Sequence, residues 1–117
     1  MALTKPSQLR DVHGISERQK DLIKAFLQGA VYCWVKNRTG EEFAARDLVG
    51  GENFEWRDTP RYVLFEKHNH KDHESALKSA AKDLGWLLKA VLSNDKRTFE
   101  ARKARLVSYY RWIGNEP

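Results

Sequence analysis

KRTFEARKARLVSYYRW, residues 96–112, is the stretch whose reading decides the fold. At helical period, Phe99, Leu106, Tyr110 and Ile113 fall on one face, which predicts a helix from about Lys96 to Trp112, ended by Gly114. Arg102 and Lys103 stand where the apolar stripe should continue. The first half of this helix is therefore expected to project beyond the core or to run its charged stems along it. With Arg97, Arg105 and Arg111 it forms a basic element suited to a phosphate backbone or an acidic protein.

Immediately upstream, Asp72 is placed to cap a helix from His73 to Ser93. Leu77, Ala81, Leu84, Leu88 and Val91 form its apolar stripe. Asn94-Asp95 breaks it, so the last two helices read as an antiparallel hairpin. Lys78, Lys82 and Lys89 make a row on the polar side, with Trp86 among them about 180° from Leu77 at the helical turn angle. An indole between lysines suits a base stacked on the ring while the ammonium groups meet phosphates.

Before that helix comes KHNHKDHE, residues 67–74, with three His, an Asp and a Glu. Only His70 and His73 have the spacing that lets two helical side chains aim at one metal, and no second cluster offers further ligands. The stretch reads as a polar connection, and no metal or cofactor is expected.

Residues 41–69 read as a short helix from Glu41 to Val49 with Phe43, Ala44 and Leu48 inward, then a loop, then a helix from Pro60 to about His68. Gly50-Gly51 supplies the C-cap, and Thr59-Pro60 the next start. Phe54 and Trp56 are expected to fold inward and pin the loop. The order helix, turn, helix resembles the helix-turn-helix motif, although nine residues, 50–58, stand in the turn. The second helix of that unit offers Arg57, Arg61 and Lys67, offset by Asp58 and Glu66.

The longest apolar pattern runs from the capping box Ser16-Glu17-Arg18-Gln19 to about Asn37. Leu22, Phe26, Ala30 and Cys33 form one stripe; Leu27, Val31 and Val35 line another side. A helix apolar around its girth should be central and buried, with Cys33 as a small core residue. Residues 1–15 are expected to be loosely held.

Together these elements predict one all-α domain, a bundle of four to five helices over residues 16–117. The single cysteine excludes an internal disulfide, and no apolar run is long enough for a signal peptide or a membrane span. The expectation is a cytoplasmic protein without membrane association. Residues 1–60 hold nine Lys/Arg and nine Asp/Glu; residues 61–117 hold twelve and seven, so the whole net charge of +5 lies in the second half. One-sided basic charge favours an acidic partner, nucleic acid first. No phosphate loop, nucleophile elbow or zinc-protease motif is present. The function these features favour is a small non-catalytic nucleic-acid-binding module. Its expected contacts are Lys78, Lys82, Trp86, Lys89, Arg102, Lys103 and Arg105, with Arg57 and Arg61. The alternative is a protein-interaction or adaptor domain that self-associates as a homo-oligomer, on the strength of four Trp in so small a chain.

Overall fold

The computed structural model describes residues 3, 9–49, 59–60, 62–105 and 107–113. The order is α1 (Glu17–Asn37), α2 (Ala45–Leu48), α3 (Tyr62–Glu66), α4 (His73–Ser93), β1 (Phe99–Ala104) and β2 (Val107–Trp112). The all-α expectation is wrong. The stretch read as a fifth helix is an antiparallel β-hairpin, with Phe99 opposite Trp112, Ala101 opposite Tyr110 and Ala104 opposite Val107. Helix four therefore has no helical partner after it.

The reason lies in the side chains. Val107, Tyr109, Tyr110 and Trp112 are β-branched or aromatic and favour a pleated surface. The Ala104–Val107 pair leaves two positions for the turn, and Arg105 takes φ of 58°, a left-handed backbone no helix allows. Extended chain also resolves the misfit at Arg102 and Lys103. Both are exposed: Arg102 lies on the face opposite Phe99, and Lys103 shares the face of Phe99 but lies four residues on, beyond the buried root.

Both long helices begin as their caps dictate. Ser16 accepts from the Gln19 N–H at 3.1 Å while the Gln19 side chain accepts from the Ser16 N–H at 2.9 Å. Asp72 accepts from the Ser75 N–H at 3.0 Å. These bonds satisfy N–H groups that the helix leaves unpaired. α1 stops at Arg38, and Gly40 carries the chain away with φ of 81°.

The core lies between α1 and α4. α1 contributes Ile23, Leu27, Val31 and Val35; α4 contributes Leu84, Leu87, Leu88, Val91 and Leu92. This corrects two expectations. The buried stripe of α1 is the second of the two apolar faces. Leu22 is 49% exposed and Cys33 is exposed, so the thiol is no core residue. On α4 the buried face is turned toward Ala76, Ala80 and Leu87, leaving Ala81 exposed.

Phe43 closes one end of the core. It is fully buried, and its ring lies 5.8 Å from Trp34, 6.0 Å from Phe99 and 6.1 Å from Tyr110. Its backbone exchanges two 2.8 Å hydrogen bonds with Tyr110, so the chain around it is extended and α2 is shorter than expected. With α2 and α3 only four and five residues long, the helix-turn-helix resemblance fails. Its turn, with Gly50, Gly51, Phe54 and Trp56, lies outside the described residues, as do Arg57, Arg61, Leu106 and Gly114. Near the N-terminus, Leu3 bridges to Phe99 and Val12 is buried. Among the described residues, no helix is long and apolar enough to cross a membrane.

Candidate nucleic-acid interface

The hairpin is rooted in the core and open at its tip. Phe99 and Tyr110 share its inner face and are buried, whereas Lys103 and Ser108, next on that face, are exposed. The outer face carries the pairs Glu100–Arg111 and Arg102–Tyr109. An isolated two-stranded ribbon is marginal in water. Here its root is held on both edges, by Leu3 against β1 and by Phe43 against β2.

A buried ion pair fixes the junction between α4 and β1. Asp95 accepts from the Arg97 backbone N–H at 2.8 Å, from Nε at 2.8 Å and from the other Arg97 nitrogen, Nη2, at 2.7 Å. Gln28 of α1 donates to the same carboxylate at 2.7 Å. Both charged side chains are 3% exposed, and the guanidinium carbon lies 5.1 Å from the Tyr32 ring centroid. Burial pushes the Asp95 carboxyl upward. The Arg97 and Gln28 bonds outweigh it and hold the group below its ordinary value. Nη1 of Arg97 is buried without an acceptor. Arg97, read as part of a basic helix surface, is therefore structural.

On the outer face Arg102 grips Glu42 with two bonds, of 2.5 and 2.9 Å, and its guanidinium covers the Tyr109 ring at 4.6 Å. The Arg102 bond lowers the Glu42 pKa. Arg46 donates to the Tyr109 hydroxyl at 3.2 Å. Arg111 pairs with Glu100 across the strands. Lys96, Lys103 and Arg105 are exposed and form no ion pair with any described residue. Six Lys/Arg thus face one Glu between residues 96 and 113.

α4 presents its lysines differently from the expectation. Lys78 is exposed and 3.6 Å from Glu74, and Lys82 is exposed. Trp86 is half-buried against the core, with Arg10 at 5.0 Å and Lys89 at 4.9 Å from its ring centroid. Two cations already occupy the ring, so a base would have to displace one of them to stack there.

The histidines serve the α3–α4 contact. His68 Nε2 and Lys67 Nζ both lie 2.9 Å from Asp83 Oδ2. The His73 ring meets Phe65 edge-on at 5.5 Å, while His70 is exposed. Among the described residues no three His, Cys, Asp or Glu side chains converge as a metal site would require.

The sequence reading sets Arg97, Arg102, Lys103, Arg105 and Arg111 on one helix. The structure places the last four on one ribbon, draws Arg97 into a buried ion pair, and leaves Lys96 exposed at the root. The alternation of Ser108, Tyr109, Tyr110, Arg111 and Trp112 was the available signal for a strand. Comparison with protein-family models, with curated proteins and with solved structures finds no match.

Proposed function

We propose that the protein is a non-catalytic nucleic-acid-binding module whose contact element is the β1–β2 ribbon. The observation that carries this reading is the concentration of basic charge on a ribbon exposed at its tip. A two-stranded ribbon fits the major groove of B-form DNA, which is about 12 Å wide. The deep, narrow groove of double-stranded RNA does not admit one in the same way. Duplex DNA is accordingly the preferred ligand. Lys103 and Arg105 at the tip, with Lys96 at the root, supply phosphate contacts. Arg102 holds the ribbon against Glu42 and is available to a phosphate only if that pair opens. Lys78 and Lys82 extend the basic surface along α4, and Trp86 serves packing more than stacking.

The test is fluorescence anisotropy with labelled duplex DNA, single-stranded DNA and duplex RNA over a salt series. Binding to duplex DNA should weaken steeply with salt, and each lost phosphate contact should reduce the logarithmic slope by about 0.9. Reversing Lys103 and Arg105 to Glu should lower affinity and reduce the slope by about 2. Absence of binding at low salt, or an unchanged slope in the double variant, would overturn the proposal.

A further inference from the structure

The outer face of the ribbon carries two arginines, and both are engaged. Arg111 pairs with Glu100, its neighbour across the strands. Arg102 pairs with a residue from outside the hairpin. Its Nε and Nη2 donate to the two oxygens of Glu42 at 2.5 and 2.9 Å. A guanidinium offers this two-pronged edge to carboxylates and phosphates alike. Glu42 therefore holds Arg102 by the edge that a DNA phosphate would use. The Arg102 bond keeps the Glu42 carboxyl below its ordinary pKa, so it is ionised at neutral pH.

The fold fixes both partners in place. Glu42 immediately precedes Phe43, whose N–H and C=O each bond to Tyr110 at 2.8 Å. That bridge sets Glu42 beside the free edge of β2. Arg102 stands on β1 opposite Tyr109 of β2, so its side chain crosses the Tyr109 ring to reach the carboxylate. The Tyr109 hydroxyl in turn accepts from Arg46 at 3.2 Å. The ring is thus a held platform, on which the guanidinium can stay while its edge turns from Glu42 to solvent. Water reaches the pair: the Arg102 side chain is 55% exposed and that of Glu42 38%. A pair this exposed adds little to folding and opens readily, unlike the buried Asp95–Arg97 pair.

Resting on the reading of the ribbon as the contact element, we propose that Glu42 is an inhibitory carboxylate of the nucleic-acid site: it withholds Arg102 from duplex DNA and keeps the ribbon's affinity below what its cations would otherwise give. Glu42 is tethered beside Arg102, so it competes at a high effective concentration against a phosphate arriving from solution. Lys103 and Arg105 are left to make the first contacts. Removing the charge of Glu42 adds Arg102 to them.

A double-mutant cycle, read by an anisotropy salt series with labelled duplex DNA, tests this. Glu42→Gln and Glu42→Ala should each steepen the logarithmic salt slope by about 0.9, the value of one further phosphate contact. Affinity should rise about eight-fold at about 0.1 M salt, taking that contact's contribution to vanish near 1 M. In an Arg102→Gln background neither change should steepen the slope, because the cation that Glu42 withholds is gone. Each variant should melt cooperatively by tryptophan fluorescence, since both side chains lie at the surface. An unchanged slope in both Glu42 variants, or the same steepening with and without Arg102, would overturn the role of Glu42 and leave the ribbon as the contact element. Loss of folding in both Glu42 variants would assign the pair to the fold and overturn it equally. Failure of the wild type and every variant to bind at low salt would remove the ribbon reading itself, and the role of Glu42 with it.

Discussion

Replacing Asp95 by Ala tests what holds the ribbon in place. The carboxylate takes three hydrogen bonds from Arg97 and one from Gln28. Its removal leaves a guanidinium at 2% residue exposure with no carboxylate facing it. Breaking a buried pair from one side costs about 3–5 kcal/mol, because the remaining charge stays desolvated. A chain of this size is stable by roughly 6–18 kcal/mol, so a substantial share is lost. In urea, with a slope of about 2 kcal/mol per molar, the midpoint should fall by about 2 M. Tryptophan fluorescence at pH 7 reads it. The double variant Asp95→Leu with Arg97→Met should recover most of the loss, since a packed apolar pair avoids both desolvations. The acid limb gives an independent check. Asp95 is held below its ordinary pKa, so its contribution is fully present above the unfolded carboxyl value, about 3.9, and is lost as pH falls through the lower folded value. Asp95→Ala should flatten the decline of stability in that window and leave the dependence above pH 5 unchanged. A loss under about 1 kcal/mol at pH 7, or a double variant no more stable than the single one, would refute the assignment of the pair as the ribbon's anchor.

Other substitutions test separate parts of the fold. Ser16→Ala removes one half of the α1 capping box and should cost about 1 kcal/mol, seen as a melting temperature lower by roughly 3–6 °C. Leu88→Ala, at a position 1% exposed, should cost about 2–5 kcal/mol by urea denaturation. Arg105→Gly relieves the left-handed residue of the turn and should stabilise by up to about 1 kcal/mol, the gain being reduced by the glycine's greater unfolded freedom. The same variant should reduce the DNA salt slope by about 0.9 if Arg105 meets a phosphate.

Helix boundaries were the most legible part of the sequence. Ser16 and Asp72 each set a start by a local hydrogen bond, and that chemistry does not depend on the rest of the chain. Faces were less legible. α1 carries two apolar stripes, and nothing local says which one α4 will cover. On α4, Leu84, Leu88 and Val91 were placed correctly inside, but Ala76 and Ala80 are small, and their burial reflects close packing rather than hydrophobic weight. The hairpin was missed because Phe99, Leu106 and Tyr110 also satisfy helical spacing. Arg102 and Lys103 were the warning: two long charges in an apolar stripe mark a wrong period more readily than an overhanging helix.

The same error explains how the candidate site was only half legible. Net charge and its position along the chain do not depend on secondary structure, so residues 96–113 stood out on either reading. What each charge does depends on pairing. On a helix, Arg97 and Arg102 would both lie on a solvated surface. On the hairpin, Arg97 is drawn under Tyr32 by Asp95, and Arg102 reaches Glu42, sixty positions away in sequence. The tip residues Lys103 and Arg105 are left with their charge unspent by any described partner. With Arg97, Arg102 and Arg111 held in ion pairs, the charge left unpaired among the described residues of this stretch is Lys96 at the root and Lys103 and Arg105 at the tip. On the proposed reading, attraction to a groove acts first on the tip, and the buried Asp95–Arg97 pair holds the ribbon's root in place.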